Sequence, residues 1–278
     1  MPGTRFTDIR RFDSLDSTNR YLLDEARAGA AEGVVAVAEH QSAGRGRLGR
    51  RWEAPAGANL LMSVLLRPPL PADLRHLASA AVGLAAVDAA APLGLDLGLK
   101  WPNDILARDG RKLAGILAEA DLTPDPAAED RPLEGLAAPI VVGIGINVNW
   151  PATDADLPAD LVGAATSLRQ QTGAPVDRSE LLEALLEALE PRVAALGTPS
   201  GRRGQADDLR ARCTTIGTRV RVELADGRIE GVACDVTPEG HLVVETAAAT
   251  RTVIAGDVVH VRTDGSAPGS PGGPSVHG

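Results

Sequence analysis

Residues 95–121, LDLGLKWPNDILARDGRKLAGILAEAD, organise the reading of this chain. A strand leads into a corner at Pro102, and a second strand runs to Asp109-Gly110. That dipeptide supplies the geometry of a two-residue hairpin turn, with apolar residues on both sides. The hairpin matters because it fixes where Lys112, just past the turn, points.

Upstream, a helix is predicted after LDSTN, capped by Asp16 or Ser17, with Leu22, Leu23 and Ala26 on its apolar face and Gly29 at its end. GVVAVAEH and NLLMSVLLRP read as buried strands. Between them lies a glycine-rich loop of about a dozen residues without periodicity, the kind that is functional or disordered. ADLRHLASAAVGLAAVDAA is a long, mostly buried helix. Downstream, residues 122–138 read as a variable surface loop and PIVVGIGINVN as a strand whose Gly143 and Gly145 permit close approach. DRSELLEALLEALEPRVAAL is an amphipathic helix with Asp177 and Glu180 spaced as a capping box. From about residue 213 short alternating strands, with turns at Asp226-Gly227 and Glu239-Gly240, predict a small β barrel appended to a mixed helix-and-strand domain. The tail from 264 is low-complexity and expected to be disordered.

The 278-residue chain carries a net charge of −9, which argues against broad phosphate-backbone binding. Its two cysteines match no metal-ligand spacing and no disulfide framework, so a reducing cytoplasm is expected. No signal-peptide h-region or bilayer-length apolar run is visible.

Against that acidic background, residues 44–52 place four arginines and three glycines in nine positions. Glycines let backbone N–H groups face an anion, and arginines supply planar forks for phosphate or carboxylate. The loop is neither a Walker loop nor a dinucleotide fingerprint, and a solvated charged loop is the competing reading. KWPND is either a functional corner or an ordinary strand end with an Asx turn. Lys112 is either a site cation or a solvated charge. Asn147 and Asn149 either bind polar ligand atoms or cap a turn. No Ser/His/Asp or Cys/His set and no histidine pair with ligand spacing emerges, so any catalysis uses bound cations and positioning.

In this order, DSTN, EHQSAGRGRLGRRW, KWPNDI, RKLAGILAE and VVGIGINVN resemble the motif series of the biotin protein ligases, strongly over roughly residues 12–170. The resemblance implies an α+β fold: a mixed sheet flanked by helices, similar to class II synthetases, with a small SH3-like C-terminal β-barrel domain. It divides the chain into a catalytic biotin- and ATP-binding domain at 1–212, the β domain at 213–263 and a tail at 264–278. It implies activation of biotin by ATP, with Mg²⁺, to biotinyl-5′-AMP, then transfer to a lysine of a biotin carboxyl-carrier domain.

The same resemblance implies Arg47, Lys112 and Asp104 as catalytic residues. Ser17, Thr18, Asn19, Gln41, Arg45, Gly46, Arg47, Lys112 and Gly115 would meet biotin, and Arg47, Arg50, Trp52, Asn103 and Asn147 the nucleotide. No metal ligand is assigned. Leu48 stands where the family often has a basic residue. The series starts near residue 12, so the expectation is a cytoplasmic ligase, monomer or weak homodimer, without the helix-turn-helix repressor domain of some members, without DNA and without a membrane. The rivals are a lipoate or octanoate ligase of the same fold, a non-catalytic biotin sensor and a nucleic-acid binder; the charge and the scarcity of aromatics oppose the last.

Overall fold

A computed structural model describes residues 3–120, 138–224, 227–254 and 256–260. The loop expected at 122–138 lies almost wholly outside the described residues, as do Asp226 and the tail. Strands β1 (Ile9–Phe12), β2 (Val35–Ala38), β3 (Leu60–Leu66), β4 (Leu97–Lys100), β5 (Asp104–Ala107), β6 (Lys112–Glu119) and β7 (Ile140–Ile146) form a seven-stranded sheet in the order β1-β2-β3-β7-β6-β5-β4. β1 and β2 are parallel and the other neighbours antiparallel, so the sheet is mixed.

The pleat divides each central strand between two faces. Leu60, Met62, Val64 and Leu66 of β3 and Ile140, Val142, Ile144 and Ile146 of β7 enter one large core. That core is covered by α2 (Leu77–Ala90), α4 (Arg178–Leu196) and α5 (Pro199–Arg212). The opposite face, with Leu65 and Val141, meets Leu22 and Ala26 of α1 (Thr18–Arg27) in a smaller cluster. A fifth helix, α3 (Leu168–Thr172), is a single short turn. Alanines let α2 pack closely between sheet and α4. The helical stretch Ala72–Leu93 has the length and hydropathy of a membrane span, but this packing makes it a core helix.

Two local readings change. The β5–β6 loop is three residues long, because Gly110 N donates to Ala107 O and Ala107 N to Arg111 O, with Gly110 at φ 81°. A type I turn splays the strands unless a left-handed residue follows it, and Gly110 is that residue. Thr237–His241 repeats the arrangement, with Gly240 at φ 82°. Helix α5 was not expected at all. Thr198 caps it by accepting from Gly201 N and Pro199 opens its first turn, while glycines at 201 and 204 hide its periodicity.

Strands β8 (Arg219–Leu224), β9 (Gly227–Val236), β10 (Leu242–Glu245), β11 (Thr250–Val253) and β12 (Asp257–His260) form a five-stranded antiparallel sheet in the order β11-β10-β9-β8-β12. Its inward residues Val220, Val222, Ala233 and Leu242 join the same hydrophobic cluster as Leu97, Leu99 and Trp101. Trp101 pins the junction: its backbone N donates to Thr215 Oγ1 and its indole Nε1 to Gly240 O, each at 3.0 Å.

Candidate active site

The site grows out of the α1-side face of the sheet. On that face β7 presents Gly143 and Gly145, and Gly115 of β6 pairs with Gly145. Where side chains would stand, the sheet is bare backbone. A cavity of about 330 Å³ opens there, lined by every residue the family resemblance nominated; Asn149, the other candidate amide, instead donates to Val176 O and accepts from Val176 N, so it caps a turn. The glycines are space-filling requirements. A Cβ on Gly145 would fall 2.5 Å from Trp52 Cε2, and one on Gly143 would fall 2.2 Å from Asn19 Oδ1.

One end of the cavity is built by the start of α1. Ser17 caps the helix by accepting from Arg20 N. Thr18 is fixed by Gln41, whose Oε1 accepts from Thr18 N at 2.8 Å and from Thr18 Oγ1 at 3.1 Å. Asn19 spends its whole amide on the protein. Nδ2 donates to Leu117 O and Glu119 Oε2, and Oδ1 accepts from Ser63 Oγ at 2.6 Å. Asn147 is likewise engaged, donating to Thr166 O and accepting from Asn59 Nδ2. These two asparagines therefore shape the wall by holding strand ends together.

The other wall is cationic. Arg45, Arg47 and Arg50 descend from the glycine-rich loop, and Lys112 rises from the first position of β6. Each is matched by a protein oxygen. Arg45 meets Glu119 at 3.2 Å, Lys112 meets Asp104 at 2.7 Å, and Arg50 pairs with Asp257. Arg47 donates to Asn103 Oδ1 and to Gly256 O, both at 3.1 Å. Burial lowers the affinity of Arg47 for its proton, while Asp257 and Asp104 pull the other way; a guanidinium stays charged throughout. Arg47 and Lys112 are thus partly desolvated, where a bound anion is attracted more strongly than in water, while Arg45 and Arg50 stay exposed. Trp52 lies between the two ends. Its indole covers Gly115 and Gly145, Lys112 Nζ stands 5.6 Å from its ring centroid, and its Nε1 is buried with no hydrogen-bond partner among the described residues.

Three contributors escaped the sequence reading. Ser63 had a signal, as the one polar residue inside the buried run LLMSVLL. Glu119 and Asp257, which receive arginines from the loop, had none, because their partners lie far along the chain. Leu48 is exposed at the loop tip with φ 57°, the one non-glycine at positive φ among the described residues.

Cations on one wall, a polar end and a flat aromatic floor define a site for an anionic ligand that carries a planar group. Residues 11–124 match the biotin/lipoate A/B protein ligase family, and residues 215–261 the biotin protein ligase C terminal domain. The chain is 42% identical to the biotin–[acetyl-CoA-carboxylase] ligase of Mycobacterium tuberculosis, over 88% of this chain and 86% of that one. It is 34% identical to the bifunctional ligase/repressor BirA of Bacillus subtilis, over 88% of this chain and 72% of that one. The structure of the biotin protein ligase from Aquifex aeolicus in complex with biotin and ATP matches with a TM-score of 0.76 at 25% identity, covering 93% of this chain and all of that one. The chain belongs to the biotin protein ligase family.

Proposed function

We propose that this cavity performs ATP-dependent biotinylation in two steps. The biotin carboxylate oxygen attacks the α-phosphorus, the bond to the bridging oxygen breaks, and pyrophosphate leaves with that electron pair. An acceptor lysine amine then attacks the acyl carbon of biotinyl-5′-AMP and AMP departs. The observation that carries this reading is the convergence of Arg45, Arg47, Arg50 and Lys112 on one wall beside the polar start of α1. Bringing a carboxylate to a polyphosphate is opposed by charge, and fixed cations offset that repulsion and stabilise charge on the pentavalent phosphorus.

In this reading Arg47 and Lys112 hold the biotin carboxylate and the adenylate phosphate. Ser17, Thr18, Asn19, Gln41, Arg45, Gly46 and Gly115 form the biotin end; Arg50, Trp52, Asn103 and Asn147 form the nucleotide end. Asp104, already 2.7 Å from Lys112, takes the proton of the incoming lysine ammonium. Closing the loop over the ligand shields the anhydride from water.

Mg²⁺ belongs to the proposal through the nucleotide. Among the described residues no group of three or more His, Cys, Asp or Glu is placed to hold a metal, and Asp104 and Asp257 are each paired with a cation. That donor set fits an ion held mainly by phosphates, which neutralises phosphate oxygens when bound. The acceptor is a biotin carboxyl-carrier domain, as the names of the ligase relatives support. The net charge and the two free cysteines support a cytoplasmic enzyme that acts without DNA. We also read residues 1–212 as the catalytic unit and 213–263 as an SH3-like module.

ATP–pyrophosphate exchange with Mg²⁺ and either biotin or lipoate tests the reading. Exchange that depends on biotin is expected. Exchange with lipoate instead would move the chain to the lipoate branch, and exchange with neither would leave a protein that binds without turnover.

A further inference from the structure

Glu119, the last residue of β6, stays outside the wall of the main cavity, yet two residues of that wall end on it. One oxygen, Oε2, accepts from Asn19 Nδ2 at 2.8 Å and from Arg45 Nη2 at 3.2 Å. The two donors belong to different elements, Asn19 to the first turn of α1 and Arg45 to the neck of the glycine-rich loop. That neck is a paired segment. Arg45 bridges Arg51, Gly46 N donates to Arg50 O at 2.7 Å, and Trp52 N donates to Gly44 O at 3.0 Å. A residue that holds Arg45 therefore also holds the segment that carries Arg47 and Trp52.

On the Asn19 side the carboxylate ends a buried chain of hydrogen bonds. Thr18, Asn19 and Ser63 are 4%, 4% and 0% exposed, so their polar atoms depend on one another. An ionised carboxylate and the Leu117 carbonyl can only accept, which turns Asn19 Nδ2 toward them and Oδ1 toward Ser63. Ser63 Oγ, which donates to Asn19 Oδ1 at 2.6 Å, also meets Thr18 Oγ1 at 2.7 Å, and the Thr18 hydroxyl donates to Gln41 Oε1. At the far end Gln41 Nε2, on the cavity wall, is left as a donor with no partner among the described residues. The chain thus has one direction, set from the end at which Glu119 stands.

The Arg45–Glu119 pair is too exposed to add much to folding stability, so its consequence is positional. We propose that Glu119 is a positioning residue for the biotin step. It fixes the loop neck and the polar end of the cavity to one carboxylate oxygen, so that both parts of the biotin site keep a common register. This role rests on the cavity being the biotin site.

Biotin binding followed by calorimetry without nucleotide, together with ATP–pyrophosphate exchange, tests this role. In Glu119→Ala the Kd and the KM for biotin are expected to rise on the order of ten- to a hundredfold, while the KM for ATP stays near wild type. Glu119→Gln keeps an acceptor for Asn19 but removes the charge that Arg45 meets. It should show a smaller rise, and it keeps the test open should Glu119→Ala fail to fold. Because one oxygen serves both donors, the effect of Arg45→Met on the biotin Kd should shrink when Glu119 is already replaced. Unchanged biotin Kd in the variant that folds would overturn the inference, and so would fully independent effects of Arg45 and Glu119. Equal rises for biotin and ATP with a lower urea midpoint would overturn it too, because Glu119 would then hold the fold and not the site. A wild-type chain that neither binds biotin nor exchanges would instead overturn the function assigned to the cavity.

Discussion

At Arg47 two jobs meet in one guanidinium. It ties the glycine-rich loop to the corner through Asn103 and to the C-terminal module through Gly256 O. It also stands over the cavity in which the adenylate would form. Removing it takes away both the loop latch and one cation, each worth ~1.5–3 kcal/mol where charged hydrogen bonds are lost. Arg47→Ala should therefore release biotinyl-5′-AMP into solution faster, by on the order of tenfold or more. Chromatography of the released adenylate in the absence of acceptor measures this. Retention equal to wild type would remove Arg47 from the clamp. Gly145 makes the opposite point at the same scale, since its contribution is the side chain it lacks. Gly145→Ala should displace the Trp52 indole, read as a shift in tryptophan emission together with weaker nucleotide binding. An unshifted spectrum with wild-type binding would show that the floor tolerates a methyl group.

Among the elements, α5 links the two halves of the molecule. Its Leu209 enters the common core, while Arg210 pairs with Asp235 of β9 at 2.6 Å. Arg212, its last residue, meets Asp88 of α2 at 2.5 Å, and Asp88 also receives Arg192 of α4 at 2.6 Å. The helix begins only because Thr198 satisfies Gly201 N and Pro199 needs no donor of its own. Two internal glycines weaken its intrinsic preference by roughly 1 kcal/mol each relative to alanine, so the cap carries unusual weight. Thr198→Ala should lower stability by about 1 kcal/mol, measured as a lower urea midpoint with an unchanged slope. Thr198→Ser should restore it. A midpoint equal to wild type would mean that tertiary contacts alone hold the helix start.

For the whole molecule, the interface between the sheet domain and the β module carries a pH dependence. His260 of β12 sits 3.3 Å from Thr215 Oγ1, and burial, followed by the nearby Lys100 charge, pushes it down to about 4. The folded chain thus binds fewer protons at this site than the unfolded chain, whose histidine titrates near 6.5. Stability from this group is fully present above about pH 6.5 and is lost as pH falls toward about 4. Urea midpoints should fall between pH 7.5 and pH 5, and His260→Gln should show a smaller fall. Equal falls in both proteins would assign the dependence elsewhere, with His241, whose proton affinity is lowered first by burial and then by His76, the next group to replace.

The sequence by itself determined the parts whose causes are local. The buried runs of β2 and β3, the α1 cap at Ser17 and the Asp177 cap of α4 all follow from neighbours within one turn or one pleat. The motif order gave the family and nominated a set of residues that the fold gathers around one cavity. Local pattern failed where local signals conflicted: at α5, whose glycines mask a capped helix, and at Asp109-Gly110, where one more residue enters the loop. Tertiary structure alone decided which oxygens hold the arginines. Glu119, Gly256 and Asp257 reach the loop from a distant strand and from another domain, and no spacing rule encodes such a meeting. It alone revealed that the amides of Asn19 and Asn147 are engaged by the scaffold. Those facts depend on side-chain burial and long-range charge, which exist only once the chain has closed on itself.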